Sequence, residues 1–423
     1  MSSDPQAIID RKPVTARTSA IALTTARCAA IAVAIGAVSS PPLANAAALV
    51  MLLSFVCVAD WRERASRVLR EPLGRGVAIF AAALLLAAVI GALGPAGIDG
   101  AAQALWNWRP LLLLLFALAV FDEPHWRFRF ATGFVVFAVV AAVVALIFLQ
   151  LGLAHRIDHP PGIVLRNHAT QSMTFAAGVF LAAMLWFNRM AAQRWLHAGL
   201  GGAALGLLAV LPLTQTGRSG WLMLIVAAVT AVALTLRGRR LALGLLLVPV
   251  VAAAVVGASP RIQERFRVGW QEATGVATGS ELTSMGIRVV MWRTTADLIG
   301  DRPVAGYGLG GYAPAYAALI KQRHSDWKAT TTPDAHNQYL TLWVEAGLAG
   351  LLAFAWFLFS ALRQEAQPPW RAIGVSLLAG WCATSMLSSH FQTFNEGHLI
   401  AIFLGAFLAR PAYSFNARVA SGC

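Results

Sequence analysis

The sequence predicts an all-α polytopic membrane protein with about twelve transmembrane helices and one large exterior loop. Three observations support this fold class. Hydrophobic residues make up 58% of the 423 residues and charged residues only 12%, which is outside the composition of soluble globular proteins. Apolar runs of roughly 20 residues, the length that crosses a bilayer, recur along the chain. Basic residues concentrate in alternate short loops, as in membrane proteins of fixed orientation.

The predicted spans are apolar runs that are expected to be helical, because lipid offers the backbone no hydrogen-bond partners. They cover approximately residues 19–38, 43–59, 76–93, 104–121, 130–151, 168–187, 196–213, 219–236, 241–257, 336–362, 372–389 and 395–410. Because their number is even, both termini are expected on the same side of the membrane.

The loops rich in basic residues are expected to face the cytoplasm, because lysine and arginine resist translocation. On that rule both termini are cytoplasmic. The net charge of +14 follows from this topology, so nucleic-acid binding is not needed to explain it. Three arginines, Arg156, Arg166 and Arg218, fall in the opposite short loops. They oppose the topological bias and require another explanation.

The chain is interpreted as a single integral membrane domain, residues 1–423, with one exterior insertion at residues 258–335. The insertion lies between the ninth and tenth predicted spans. Within it, residues 261–270 alternate apolar and basic side chains at helical spacing. That pattern predicts an amphipathic helix at the level of the lipid headgroups, where it acts at least as an anchor.

A second helix of the insertion is expected over about residues 281–299. Arg288 shares one stripe of that helix with Trp292 and Thr295, so it borders the buried face. A structural ion pair is the alternative role for this arginine, since buried charges are usually paired. The glycine-rich residues 306–311 are expected to bring backbone amides close to an anion. They are not a dinucleotide fingerprint, because no strand precedes them.

The start of the tenth span carries the candidate for acid–base chemistry. Asp334 is predicted to be the N-cap, which places His336 and Asn337 in the first turn of the helix. The positive end of the helix dipole disfavours a protonated imidazole, so His336 is expected to be neutral and able to act as a general base. A histidine that only hydrogen-bonds its own loop is the alternative. Glu345 lies on the opposite side of the helix, and a packing role is expected for it.

Cationic side chains are predicted to gather at the exterior ends of several spans. Arg218 begins the eighth span, Arg166 and His168 stand at the start of the sixth, and Arg109 lies near the exterior end of the fourth. Together with Arg288 they suit a diphosphate, because guanidinium groups bind its oxygens in pairs and never lose their charge. An anionic lipid headgroup is therefore the expected ligand. Interfacial anchoring is the alternative for each arginine taken singly.

Metal and nucleotide chemistry find no support in the sequence. His155, His159 and His168 are zinc ligands by type, but Pro160-Pro161-Gly162 breaks any helix that would align them. No Asp-x-Asp pair is present to bind a metal together with a nucleotide sugar. The short cytoplasmic loops leave no room for a nucleotide-binding domain. We therefore expect no metal and no cofactor.

Four motifs follow one another within residues 160–350. They are Thr216-Gly217-Arg218-Ser219-Gly220-Trp221, Arg288 with Trp292, Arg302-Pro303-Val304-Ala305-Gly306-Tyr307-Gly308, and Ala335-His336-Asn337-Gln338-Tyr339-Leu340 before Glu345-Ala346-Gly347-Leu348-Ala349-Gly350. In their order and in their shared side of the membrane, these motifs resemble those of the O-antigen ligase and polymerase superfamily. Span count and loop position extend the resemblance to the whole chain.

The resemblance implies a GT-C-like glycosyltransferase at the periplasmic face of a Gram-negative inner membrane. Such enzymes take a glycan from undecaprenyl diphosphate and need neither metal nor nucleotide. By the same resemblance, His336 is the general base that activates the acceptor hydroxyl, with inversion at the anomeric carbon. Arg218 and Arg288 would bind the diphosphate and stabilise the leaving group, and Asn337 would orient His336 or the acceptor.

The favoured activity is ligation of O-antigen polysaccharide to lipid A core, which completes lipopolysaccharide, by fold-level analogy. The expected partners are the undecaprenyl-diphosphate-linked donor, the lipid A core acceptor and membrane lipids, and the chain is expected to be a monomer. A phosphorylated acceptor suits the exterior arginines. An O-antigen polymerase or a protein O-oligosaccharyltransferase of the same superfamily is an alternative. A lipid-linked glycan flippase is an alternative from a different class.

Overall fold

The structure is a computed structural model that describes residues 11–155, 159–214, 217–258, 260–274, 284–323 and 332–411. Arg156 and Thr216, both named above, lie outside the described residues, as do parts of the 258–335 insertion. All regular secondary structure within the described residues is α-helical. The predicted fold class, an all-α polytopic membrane protein, is thereby confirmed.

Seventeen helices follow one another in the part of the chain that the structure describes. The first nine are α1 (Arg11–Ser39), α2 (Pro41–Val56), α3 (Trp61–Arg70), α4 (Pro72–Leu93), α5 (Gly97–Asn107), α6 (Pro110–Val120), α7 (Pro124–Gln150), α8 (His168–Phe187) and α9 (Arg194–Val210). The other eight are α10 (Arg218–Thr235), α11 (Gly238–Ala258), α12 (Pro260–Thr274), α13 (Ser284–Asp301), α14 (Tyr312–Arg323), α15 (Gln338–Arg363), α16 (Trp370–Thr384) and α17 (Phe394–Leu408).

Local signals explain where many of these helices begin. A proline occupies the first position of five helices, at Pro41, Pro72, Pro110, Pro124 and Pro260. Its fixed φ suits that position, and the N–H that it lacks would have no partner within the helix. At the start of α8, the side chain of Asn167 caps the helix and accepts a hydrogen bond of 2.8 Å from the backbone N–H of Thr170.

The number of predicted spans is not confirmed. Within the described residues, seven segments are long and apolar enough to cross a membrane, and one of them is α5 and α6 taken together. The number is eight if α2 and α3, bent by 106°, form one broken span. Three helices expected to span, α9, α16 and α17, have 17, 15 and 15 residues, short of the roughly 20 that a bilayer requires. The predicted span 372–389 ends early, because residues 385–389 form an irregular connection. Such backbone is tolerated at membrane depth where protein buries it.

The outer faces of the long helices are suited to lipid. On α4, Leu85, Leu86 and Leu93 expose 55, 61 and 86% of their surface. On α7, Val136 and Val140 expose 62 and 55%. A contiguous surface of this kind is rare on soluble monomers, where large apolar patches mark contact with a partner or a membrane. Composition, helix length and surface therefore agree on a multi-pass membrane protein.

Two hydrophobic clusters organise the described residues. The larger one fills the bundle of long helices and contains aromatic contacts such as Phe130 with Phe403, whose ring centroids are 5.1 Å apart. The smaller one joins α13, α14 and the start of α15, and includes Met291, Tyr312 and Ala335. This second cluster fixes the insertion to the segment that carries His336.

The two ends of the bundle differ in their charges. We call the end at which α8, α10 and α15 begin the site end. At the other end, which we call the opposite end, Asp122 forms ion pairs with Arg27 at 2.7 Å and with Arg64 at 2.6 Å. These pairs join α1 and α3 to the connection between α6 and α7.

Candidate functional site

Arg218 is positioned by close contact between α8 and α10. The backbone N–H of Gly217, the N-cap of α10, donates to the carbonyl oxygen of His168 over 3.2 Å. One turn later, a Cβ on Gly220 would lie 2.5 Å from the carbonyl oxygen of Ser172, so only glycine allows the helices to approach this closely. His168 and Arg218 therefore lie at neighbouring positions at the site end.

The insertion covers Arg218. Gly269 of α12 lies against the guanidinium group, and a Cβ at position 269 would overlap it. The sequence predicted an amphipathic helix here, and α12 indeed has a buried Gly269 and, beside it, a Trp270 that is 73% exposed. The exposed indole is suited to a membrane interface, where the apolar part of the ring contacts lipid and its N–H contacts water.

A second arginine approaches the first from α13. Arg288 is half-buried, and burial together with the charge of Arg218 lowers the pKa of Arg288, while Glu272 of α12 acts in the opposite direction. We call Arg218 and Arg288 the arginine pair. Two cations and one nearby carboxylate leave a local excess of positive charge at the site end.

Trp292 connects the arginine pair to the segment before α15. Its indole N–H donates to the carbonyl oxygen of Ala335 over 3.0 Å. Because Trp292 lies one helical turn after Arg288 on the same stripe, this bond holds Arg288 near the residue that precedes His336. Thr295, the third member of the predicted stripe, is fully buried and contacts the hydroxyl group of Tyr312 at 3.1 Å. The exposed Arg293 faces away.

The prediction that Asp334 caps the helix is wrong. The N-cap of α15 is Asn337, whose side-chain oxygen accepts hydrogen bonds from the backbone N–H groups of Tyr339 and Leu340 at 3.0 and 3.2 Å. His336 and Asn337 therefore precede the helix instead of forming its first turn. Asn337 is the N-cap because its side chain accepts from two N–H groups that lack partners within the helix.

Asp334 has a different role, which is to hold His336. Its Oδ1 accepts a 2.6 Å hydrogen bond from the backbone N–H of His336 and lies 3.4 Å from the imidazole Nδ1. The backbone of His336 has a φ of +47°, a left-handed conformation that is uncommon for a residue other than glycine and is often found at functional sites. The imidazole is 39% exposed, so a substrate can reach it.

Five of the six backbone amides of the glycine-rich loop, residues 306–311, donate hydrogen bonds within the protein, one of them to the carboxyl group of Glu345, so these five do not face a substrate anion. The backbone N–H groups of Tyr307, Leu309 and Gly310 donate to Val344, Ala87 and Glu345, over 2.7, 2.8 and 3.0 Å. These bonds attach the loop to α4 and α15. Because Glu345 is buried and bound to Gly310, its predicted packing role is consistent with the structure.

The other predicted cations lie at the site end but outside the arginine pair. The backbone N–H of Arg166 donates to the carbonyl oxygen of Val38, near the end of α1, over 3.3 Å. Arg109, at the break between α5 and α6, donates to the carbonyl oxygen of Trp106, and its guanidinium group lies over the ring of Phe394 at 5.2 Å. Aromatic and backbone contacts of this kind favour an anchoring role for Arg109.

A polar cluster that sequence reasoning missed lies beneath His336. The connection between α16 and α17 contains His390, which is 3% exposed, and Glu396 follows in the first turn of α17. Glu396 accepts hydrogen bonds from Thr170 and Thr393 at 2.6 and 2.7 Å. The only signal in the sequence was the polar stretch 388–396 at the boundary of two predicted spans.

Comparison with known proteins agrees with the predicted resemblance. A family model described as O-antigen ligase matches residues 203–355. A Haemophilus influenzae protein described as uncharacterized is 25% identical over 153 residues, which span 35% of this chain and 38% of that protein. The family match includes the arginine pair, α12, α13 and His336, whereas Arg109 and Arg166 precede it. Residues 203–355 are thus similar to the O-antigen ligase family.

Proposed function

We propose that the chain is a glycosyltransferase that moves O-antigen polysaccharide from undecaprenyl diphosphate to lipid A core. The arginine pair carries this proposal. Two guanidinium groups that lie close together repel each other when no anion is bound, and a diphosphate relieves that repulsion by pairing with both. Arg218 is also the first residue of α10, where the helix dipole adds partial positive charge.

His336 is the proposed general base. The acceptor O–H bond breaks and its proton passes to the imidazole, while the acceptor oxygen bonds to the anomeric carbon of the donor glycan. The bond from that carbon to the phosphate oxygen breaks, and undecaprenyl diphosphate leaves with the electron pair toward the arginine pair. Attack opposite the leaving group inverts the anomeric configuration. Because Asp334 lies beside Nδ1 of His336, Nε2 is the nitrogen that faces the acceptor.

Four further residues complete the proposed substrate site. His168 extends the diphosphate site, because it stands beside the start of α10. Arg166 and Asn337 are proposed to contact the substrates from the starts of α8 and α15. Arg109, whose own contacts favour anchoring, is proposed to contribute indirectly by anchoring the break between α5 and α6. The reaction is proposed to occur in a monomer at the periplasmic face of the inner membrane, without metal or nucleotide.

The test is reconstitution from purified components. Purified protein is mixed with undecaprenyl-diphosphate-linked polysaccharide and lipid A core in the presence of a chelator and without nucleotide, and the lipopolysaccharide ladder is followed on a gel. We expect a ladder with the wild type. We expect His336→Ala to reduce the rate by about 10²- to 10⁴-fold, the usual contribution of a general base.

The matched control is His125→Ala, which removes a 54% exposed histidine at the opposite end and is expected to leave the ladder unchanged. Extension of the lipid-linked glycan without transfer to lipid A core would identify a polymerase instead. No change in either substrate would contradict the glycosyltransferase proposal. Lipid flipping by the wild type would then favour a transporter.

A further inference from the structure

The imidazole ring of His390 is buried. Its side chain lies in the connection between α16 and α17, 3% exposed, and neither ring nitrogen has a hydrogen-bond partner within the described residues. Buried polar groups are nearly always paired, and each exception requires an explanation. A purely structural position in this bundle would be filled better by an apolar side chain of similar size.

The connection that carries His390 is attached to the start of α15. The backbone N–H of Gln338 donates to the carbonyl oxygen of Ser385 over 2.9 Å, and the side-chain oxygen of Gln338 accepts from the backbone N–H of Phe391 over 3.0 Å. The hydroxyl group of Thr341 contacts that of Ser389 at 3.4 Å. His390 therefore lies between two residues that are fixed to the helix immediately after His336.

Thr341 also ties this connection to the segment before the helix. Its hydroxyl oxygen accepts a hydrogen bond of 3.0 Å from the backbone N–H of Ala335. Ala335 separates Asp334 from His336 in the chain. The residues that surround His390 and the residues that orient His336 thus belong to one hydrogen-bonded unit.

Two carboxylates influence the charge of His390. Burial lowers the pKa of the imidazole, while Glu396 of α17 and Asp334 of the segment before α15 act in the opposite direction. The ring is therefore neutral at physiological pH and has one N–H donor and one acceptor nitrogen. Glu396 already accepts bonds from Thr170 and Thr393, whereas Asp334 is bound through Oδ1 to His336. Asp334 is thus the carboxylate that connects His390 to the site.

We propose that His390 is a positioning residue, whose ring N–H donates to the carboxylate of Asp334 during turnover and fixes it against His336. This inference rests on the proposed function and adds a residue to it. Asp334 then lies between two histidines, an exposed one that takes the proton and a buried one that orients the carboxylate. Groups that orient a base through its carboxylate partner have this arrangement in other enzymes.

The test compares two variants of nearly equal shape, His390→Gln and His390→Met. Gln keeps an N–H donor and Met does not, while both fill a similar volume. We expect both proteins to fold, with thermal midpoints for Met equal to or above those for Gln. We expect transfer within about 3-fold of the wild type for Gln and a loss of about 10-fold or more for Met, with the donor KM unchanged.

A double variant tests whether His390 acts through Asp334. If it does, His390→Met adds little to the loss already caused by Asp334→Asn, because both substitutions break the same contact. His125→Met, at the opposite end, is the control that should retain the wild-type rate. Equal rates for the Gln and Met variants, or losses that multiply in the double variant, would overturn the inference.

Two further outcomes are distinct. Failure of both His390 variants to fold would also count against the inference, because it would assign the residue a structural role. If the wild type itself transfers no glycan, the proposed function fails. If the wild type is active and His390→Met is fully active as well, only the proposed role of His390 is refuted.

Discussion

The guanidinium group of Arg218 occupies space that a glycine leaves open. Gly269 lies inside α12, where alanine has the higher helix propensity, so a glycine at this position indicates a packing requirement. The requirement is contact with Arg218, since a side chain at 269 would overlap its terminal nitrogens. The position of one half of the arginine pair thus depends on a residue that carries no charge.

Gly269→Ala is expected to displace the guanidinium group of Arg218 without unfolding the protein. The overlapping atoms are the end of a flexible side chain, so the arginine moves and the backbone stays. Loss of one charge-assisted hydrogen bond to the diphosphate should raise the KM for the lipid-linked donor by about 10-fold or more. Alanine should leave thermal stability equal or raise it by up to about 1 kcal/mol.

The measurement is the transfer rate as a function of donor concentration, with a thermal melt of each variant. Gly257→Ala is the matched control, because a Cβ on Gly257 meets nothing within 4 Å. It should leave the donor dependence unchanged. An unaltered donor KM in Gly269→Ala would refute the binding role of Arg218 in this geometry.

At the scale of elements, α15 is interrupted so that the glycine-rich loop can attach to it. Gly347 has φ +64° and ψ −170°, a conformation essentially restricted to glycine. In a continuous helix the carbonyl oxygen of Val344 would bond to the N–H of Leu348. Here Val344 accepts instead from Tyr307 at 2.7 Å, and Leu348 donates to Pro303 at 3.0 Å. The loop region thus supplies a new donor for Val344 and a new acceptor for Leu348, the two groups that the missing helical bond would have joined.

Gly347→Ala is expected to break this attachment. Its Cβ would overlap the carbonyl oxygen of Val304, and the backbone conformation is strained for alanine by about 1 to 3 kcal/mol before the overlap is counted. We expect a lower thermal midpoint and a parallel loss of glycan transfer, because α15 carries the His336 segment. Gly300→Ala, which meets nothing within 4 Å inside α13, should be neutral or slightly stabilising. Wild-type stability of Gly347→Ala would contradict this account of the kink.

The two ends of the bundle differ in the charged side chains that lie together there. At the opposite end, Arg27 and Arg64 are paired with Asp122, so their charges are compensated within the fold. At the site end, the arginine pair combines two like charges, with Glu272 as the carboxylate nearby. Carboxylate-paired arginines are suited to a structural end, and two neighbouring cations to an end that binds an anionic lipid.

Labelling with a membrane-impermeant maleimide tests the orientation of the whole molecule. In a background where Cys28, Cys57, Cys382 and Cys423 are replaced by alanine, one variant carries Thr274→Cys in the insertion and another carries Arg240→Cys near the start of α11; both positions are exposed. We expect Thr274→Cys to react from the periplasmic side and Arg240→Cys only after the inner membrane is disrupted. Labelling of both from the same side would refute the proposed topology.

Much of the fold follows from the sequence, because the hydrophobic effect and the positive-inside rule act on composition. Twenty-residue apolar runs predicted most of the long helices, and the motifs supplied the candidate residues of the site. The span count was less predictable. Helices α16 and α17 are short because residues 385–393 form an irregular connection between them, and hydropathy does not distinguish such a connection from a continuous span.

Composition and hydropathy predict the membrane class, and the motifs supply the candidate site residues, a histidine and several arginines. The tertiary contacts show that Asn337 is the helix cap, that the glycine-rich loop attaches to α15, and that His390 lies between two residues bonded to the start of α15. The physical reason is that composition and periodicity are local, whereas caps, loop contacts and buried neighbours depend on which residues distant in the chain compete for the same hydrogen bonds.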